Sequence, residues 1–241
     1  MKAGFLLLFF FLTASALYSQ WIELDALPGQ SLWASSSFSE TLGGQVHTYG
    51  PEALFDGDMA TPWVEGASDE GIGEDLIILA NRAVTGISLN NGFARSPSLY
   101  EKNNRLKAMN LSILIGFTAP GMVSETDSTL YLLKEFDIDS GIEVSDTSET
   151  QFFEITLSPE EQMELCREVL ESFTGENPFF LKMMREETGL ALEDFNSDMD
   201  LLLMMEIYGF LALKLTIQDV YRGSRYNDSC LSEISLQLED F

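Results

Sequence analysis

Residues 49–66 read YGPEALFDGDMATPWVEG. The run sets Asp56, Gly57, Asp58 and Thr61 in one short turn directly before Trp63. Side chains of this kind cap turns by bonding to nearby backbone groups, while a tryptophan beside them belongs in a core. Such a loop marks β grammar, and the neighbouring sequence continues it. From residue 31 to about 157, short apolar or alternating runs are separated by Gly, Pro, Asn, Asp and Ser clusters. SLWASSSF, DLIILA, VTGISLNNGF, LKAMNLSILIG, TLYLLKEF and TQFFEITL are the candidate strands.

At Ser158 the pattern changes. SPEEQMELCREVLESFTG carries an N-cap serine, proline at the first helical position, Glu161 to complete a capping box and Gly175 as a stop. NPFFLKMMREETG repeats the design with Asn177, Pro178 and Gly189, and SDMDLLLMMEIYG adds a third short helix closed by Gly209. Strand alternation then returns in FLALKLTIQDVY, where Leu211, Leu213, Leu215 and Ile217 share one face. CLSEISLQL is the last strand. Strands on both sides of a compact helical stretch predict an all-β sandwich, 20–157 and 210–241, with a helical insertion at 158–209.

Lys2 precedes the apolar run GFLLLFFFL and the small-residue stretch TASALYS, so residues 1–19 read as a secretory signal peptide, cut after Ala16 or Ser19. The run is too short for a mature membrane span, and no lipid-bearing cysteine follows it. The product is exported, to a periplasm, a cell surface or the medium. About 220 residues remain, enough for one elaborated domain. A formal charge of −26 disfavours nucleic acid and anionic membranes as partners. Cys166 and Cys230 are either bridged, which export permits, or two buried thiols.

Three further segments, DEGIGEDLIIL, NNGFARSPSLYEKNNRLKAMNLSI and LTIQDVYRGSRYNDSCLSEISL, join the opening stretch in an order that resembles the NADase-type glycan-binding domain. That discoidin-like family is associated with the translocation region of a bacterial NAD glycohydrolase toxin. The resemblance covers about 45–115 and 211–238, and its most specific pieces are YGPEALFDGD..T.WVEG, LYEKNNR and YNDSC.SEI. It implies a jelly-roll β-sandwich of the galactose-binding-like class and a carbohydrate-binding role. It does not imply NAD cleavage, which belongs to a separate domain of the toxin. The helical block has no counterpart in this resemblance.

In the wider discoidin-like fold, a D-G-x-x-x-T-x-W loop and a glutamate near the last strand wrap a structural cation. Here those are Asp56, Asp58, Thr61 and Glu233. Ca²⁺ suits them because it takes six to eight oxygen ligands, including backbone carbonyls. The alternative is a turn capped without an ion. DFNSDMD, 194–200, opens like an EF-hand loop but has Met199 where glycine is needed and Met205 at the twelfth position, so it reads as an acidic helix start.

For a ligand surface the scarce cations stand out. Arg95, Lys102, Arg105 and Lys107 fall in one matched segment, Arg222 and Arg225 in another, interleaved with Tyr100, Asn103, Asn104, Tyr226 and Asn227. Tyrosine rings suit sugar faces, amides suit hydroxyls, and arginine pairs with a carboxylate or sulfate. The glycan-binding set is therefore Arg95, Tyr100, Asn103, Asn104, Arg105, Tyr226 and Asn227. The competing reading has these cations satisfying Glu65, Glu74 and Glu233 within a loop network.

His47 is the only histidine, and neither cysteine has a base beside it in sequence. A hydrolase would need a carboxylate pair, and so acidic a chain singles none out. The helical block holds six of the ten methionines, as core filler or as a soft groove for a protein partner. The reading is an exported, non-catalytic glycan-binding module. An envelope protein–protein interaction protein working through 158–209 is the alternative, and a carboxylate-dependent glycan hydrolase is the weaker one.

Overall fold

The computed structural model describes residues 20–123, 128–188 and 198–241. The signal-peptide expectation and most of DFNSDMD therefore lie outside the described residues. In chain order, β1 (Ile22–Ala26), β2 (Leu32–Ala34), β3 (Ser39–Leu42) and β4 (Gln45–Thr48) precede a 3-10 turn at Pro51–Phe55. β5 (Trp63–Val64), β6 (Asp75–Leu79), β7 (Ala83–Asn91), helix α1 (Pro97–Lys102), β8 (Asn104–Phe117), β9 (Thr129–Glu143) and β10 (Gln151–Glu154) follow. Helices α2 (Pro159–Glu176), α3 (Pro178–Thr188) and α4 (Asp198–Tyr208) come next, then β11 (Gly209–Tyr221) and β12 (Ser229–Glu239).

Two layers of strands enclose the core. One runs β10-β7-β12, with β5 also on β12; the other runs β2-β6-β11-β8-β9-β1. They join where Ser229 and Cys230 of β12 run parallel to Asn104 and Arg105 of β8, a two-residue seam in a largely antiparallel structure. Period-2 alternation drives the layering. Along β11, Leu211, Leu213, Leu215 and Ile217 are wholly buried, whereas Lys214 and Gln218 face away. Ile87, Leu89, Leu231 and Ile234 of the first layer meet Leu76, Ile78, Leu111 and Leu215 of the second in one cluster. Trp63 lies in that core, fully buried, with its indole N–H donating to the Ser36 carbonyl at 3.1 Å.

Helix α2 begins as its sequence dictates. Ser158 Oγ accepts from the Glu161 backbone N–H, and the Glu161 carboxylate accepts from the Ser158 N–H. Its end differs from expectation: the helix runs through Gly175, and Asn177 closes it with backbone and side-chain bonds to the Phe173 carbonyl. Gly175 has open space around it, so nothing there requires a turn.

Cys166, Val169, Leu170 and Phe173, one face of α2, pack on Ile113, Ile115, Phe117 and Leu211. Burying a side chain as large as Phe173 contributes about 1.5–3 kcal/mol. The Gln162 amide, also buried, donates to the Val84 carbonyl and accepts from the Val84 N–H. The helical block is thus stitched to the sandwich. Cys166 and Cys230 are free thiols in separate clusters, and burial pushes the Cys166 thiol up to about 12.

Candidate ligand-binding site

The two segments rich in cations, aromatics and amides meet at one end of the sandwich. Ser96 caps α1 by accepting from the Leu99 N–H at 3.2 Å, with Pro97 at the first helical position. The β11–β12 turn lies against this short helix. Ser224 donates from its backbone to Glu101, and Arg225 and Tyr226 donate to Lys102, at 2.8–3.2 Å. Gly223 permits the approach, since a Cβ there would sit 2.3 Å from the Lys102 carbonyl oxygen.

Under that contact lies a polar network. Arg105 is 8% exposed and grips Asp146 with two parallel bonds, Nε to Oδ1 and Nη2 to Oδ2, each 2.9 Å. Its Nη1 donates to the Asn103 carbonyl at 3.0 Å, and its guanidinium lies 5.1 Å from the Tyr100 ring centre. Tyr100 donates its hydroxyl to Asp146 at 3.0 Å. The bonds from Arg105 hold Asp146 below the usual carboxylate range, while burial and Asp146 raise the Tyr100 phenol. Asn103, also buried, donates to the Leu99 carbonyl. Asn104 accepts from Gly223 N–H and donates to the Asn227 carbonyl.

Four of the seven predicted sugar-contact residues are thus occupied with the protein itself. Tyr100, Asn104 and Arg105 shape the loops instead of presenting free groups, whereas Asn103, its amide N–H on the Leu99 carbonyl, still lines the cleft beside Arg95 and Tyr226. Nor are their cations the partners of the glutamates expected for a loop network. Arg105 pairs with Asp146, Lys107 with Asp219 and Arg222 with Glu70. Glu65, wholly buried, accepts instead from the Ser229 and Ala67 N–H groups, and burial raises its carboxyl. Glu74 takes the hydroxyls of Ser35 and Ser36.

The remaining three, Arg95, Tyr226 and Asn227, are exposed. Arg95 and Tyr226 line a cleft of about 330 Å³ whose floor and walls include Phe38, Tyr49 and Phe93. Tyr49 stacks near both phenylalanines, with ring centres 6.1 Å from each, and donates its hydroxyl to Glu40 at 2.8 Å. Glu40 and Asp228 complete a polar rim. Arg95 forms no ion pair among the described residues. Apolar walls with a few convergent polar groups are the general form of a small-ligand site.

The opening loop borders this region. Gly57 adopts φ +76°, and Asp56 accepts from the Asp58 N–H at 2.7 Å and from the Thr61 hydroxyl at 2.6 Å. These bonds hold the Asp56 carboxyl below its ordinary value. Glu233 of β12 faces Asp56, and burial together with that neighbour raises its carboxyl. Its Oε1 is buried without a hydrogen-bond partner. An acceptor-only oxygen beside a second carboxylate fits a hard cation, with the Thr61 hydroxyl and turn carbonyls as further donors. The carboxylates alone are too few: among the described residues no group of three or more acids, histidines or cysteines could hold a metal.

A family model, the NAD glycohydrolase translocation F5/8 type C domain, matches residues 29–177. The chain belongs to this family. As an F5/8 type C domain it has the discoidin-like jelly-roll fold and falls within a class of binding modules. The match includes α2, which the sequence resemblance left out, and stops before β11 and β12, which it included.

Similar solved structures include the F5/8 type C domain of a Bacteroides fragilis protein, 14% identical with a TM-score of 0.40, covering 92% of this chain and 99% of that one. A putative chitobiase fragment from Bacteroides thetaiotaomicron is 10% identical with a TM-score of 0.37, covering 80% and 77%. A CBM32 domain from Clostridium perfringens is 9% identical with a TM-score of 0.30, covering 87% and 95%. No curated protein matches the chain. Among the described residues no helix is long and apolar enough to cross a membrane.

Sequence reasoning missed Phe38, Tyr49 and Phe93, although Tyr49 opens the quoted stretch. Each stands beside turn residues in place of a strand interior, and that was the available signal. Asp146 lies in EVSDTSET, where nothing distinguishes it from the chain's other acids.

Proposed function

We propose that this F5/8 type C domain is an exported, non-catalytic glycan-binding module whose ligand seats in the cleft between Phe38, Tyr49, Phe93, Arg95 and Tyr226. The observation that carries the reading is the cleft itself, with aromatic walls beside exposed hydrogen-bonding groups at the loop end of the sandwich. A sugar ring offers an apolar face to the aromatics and hydroxyls to Arg95, Glu40 and Asp228. The Arg105–Asp146–Tyr100 network, with Arg105 buried at its centre, acts as the scaffold that fixes the loop positions. Calorimetric titration with a glycan panel tests this: saturable binding that Tyr226→Ala weakens is the expected result. Turnover of any glycan would overturn the non-catalytic part.

We further propose that Ca²⁺ is held by Asp56, Glu233, Thr61 and turn carbonyls, with Asp58 shaping the turn by accepting from the Ala60 N–H. The cation would supply charge balance between the two facing carboxylates.

A second reading has its own observation. Helix α4 carries apolar residues on its outer side as well as its inner one: Leu201, Met204 and Tyr208 are buried, while Met199, Leu203 and Ile207 are exposed at four-residue spacing beside Asp198 and Glu206. That stripe supports a protein partner. A partner lost on changing Leu203 and Ile207 to serine, with unfolding unchanged, is its expected signature.

A further inference from the structure

The cleft is not isolated. A second cleft of about 660 Å³ adjoins it, lined by the β3–β4 hairpin on one side and the Asp56 loop on the other. Tyr49 and Arg95 line both. Each cleft falls within the volume range of complete small-ligand sites, and one exposed arginine stands at their junction.

The charge of the walls is equally specific. Among the described residues, Arg95 is the sole lysine or arginine lining either cleft, against Glu40 and Asp228 in the first and Glu52 and Asp56 in the second. Arg105, Lys107 and Arg222 are paired elsewhere, with Asp146, Asp219 and Glu70, and Arg225, whose guanidinium lies 5.1 Å from the Tyr226 ring centre, does not line either cleft, nor does Lys102. Even with Asp56 engaged by a cation, a carboxylate or sulfate on the ligand would gain one contact with Arg95 and meet Glu40, Glu52 and Asp228 on a surface of formal charge −26. A neutral sugar suits the same walls better. Its hydroxyls donate to carboxylates and accept from the five N–H groups of a guanidinium, so both kinds of wall group find partners.

Resting on the glycan-binding reading, we infer that the ligand is an uncharged oligosaccharide of two or more units, laid across Tyr49 and Arg95 from the aromatic cleft into the hairpin cleft. Arg95 bridges hydroxyls of successive units. Gln45, exposed on the hairpin and lining the second cleft, contacts the distal unit.

The test is a length and charge series. Binding of the mature protein is measured by calorimetry to gluco-, galacto- and N-acetylgluco-configured sugars of one to four units, and to uronate-terminated counterparts of equal length. In the series that binds, affinity is expected to rise about tenfold or more from one unit to two or three and then level off. Acid-terminated members should bind about tenfold weaker, a free-energy step of roughly 1.4 kcal/mol. Gln45→Ala should remove most of the gain with length, with unfolding unchanged. Affinity that is flat beyond one unit, or acidic members that bind as tightly as neutral ones, would overturn the inference while leaving glycan binding in place. If no sugar of any length or charge binds, the glycan reading fails and this inference with it.

Discussion

Arg95 and Arg105 lie in the same short segment, yet they do opposite work. Arg105 is buried, holds both Asp146 oxygens along one edge of its guanidinium and lies over Tyr100. Arg95 is exposed at the junction of two clefts and pairs with no acid among the described residues. The difference comes from what each meets: β8 carries Arg105 inward beside the Asp146 loop, whereas Arg95 stands on the turn before α1. A charged residue in a binding segment is therefore a contact group only when the protein has left its hydrogen-bonding capacity unspent.

Substitution should separate the two arginines most sharply. Arg105→Ala removes the bonds to solvent-exposed Asp146 and to the Asn103 carbonyl and should lower unfolding free energy by about 1.5–3 kcal/mol, the scale of hydrogen bonds to a charged group, read from denaturant curves. Arg95→Ala should shift stability by less than about 0.5 kcal/mol, as surface changes generally do. Equal effects would erase the contrast.

The acids on the Arg95 side give a second probe. Added Ca²⁺ at about 100 times its dissociation constant should stabilise the protein by roughly 2.7 kcal/mol. Asp56→Ala should abolish that response, and a melting temperature indifferent to chelator in the wild type would show that the turn holds itself. Tyr226→Ala then reports on the cleft, and a loss of about 1–2 kcal/mol in glycan binding with unchanged unfolding is expected for one exposed ring and its water-excluding contact.

Acid titration is the finest discriminator. The Asp146 carboxyl is depressed in the folded state, so the stability of its pair with Arg105 is present above the ordinary aspartate value and lost as pH falls through the lower, folded one. Glu233 is raised, so without a cation its contribution has the other sign. Its burial weakens the fold at neutral pH, and the penalty disappears as pH drops through the folded value toward the unfolded one. In chelator, Glu233→Gln should therefore stabilise at pH 7, and the gain should shrink on acidification. A gain that grows with acid would contradict the assignment.

Much of the fold was legible because it rests on local rules. Leu211, Leu213, Leu215 and Ile217 announce their face by alternation, and Ser158, Pro159 and Glu161 announce a helix by capping. β1 and the β3–β4 hairpin were not, since short edge strands with exposed side chains carry little alternating signal. That the 95–107 and 221–228 segments could meet followed from the resemblance to a jelly roll, whose loops gather at one end, and composition only marked the two as alike. Which of their polar groups remained available could not be anticipated, because that depends on Asp146, a partner 41 positions from Arg105 with no motif around it. The aromatic walls were hidden for a related reason: Phe38 and Tyr49 flank the β3–β4 hairpin and Phe93 follows β7, and the three form one surface only after folding.

Gln162 carries a consequence beyond the energy of its bonds. Strand β10 covers β7 only from Gly86 to Leu89, and at Val84 the helix side chain takes over, offering one acceptor and one donor where a neighbouring strand would. A backbone edge that would otherwise lie open to a strand from another molecule is closed from within. The helical block is in this respect a guard against self-association, and a chain that lost it would first be recognised by turbidity.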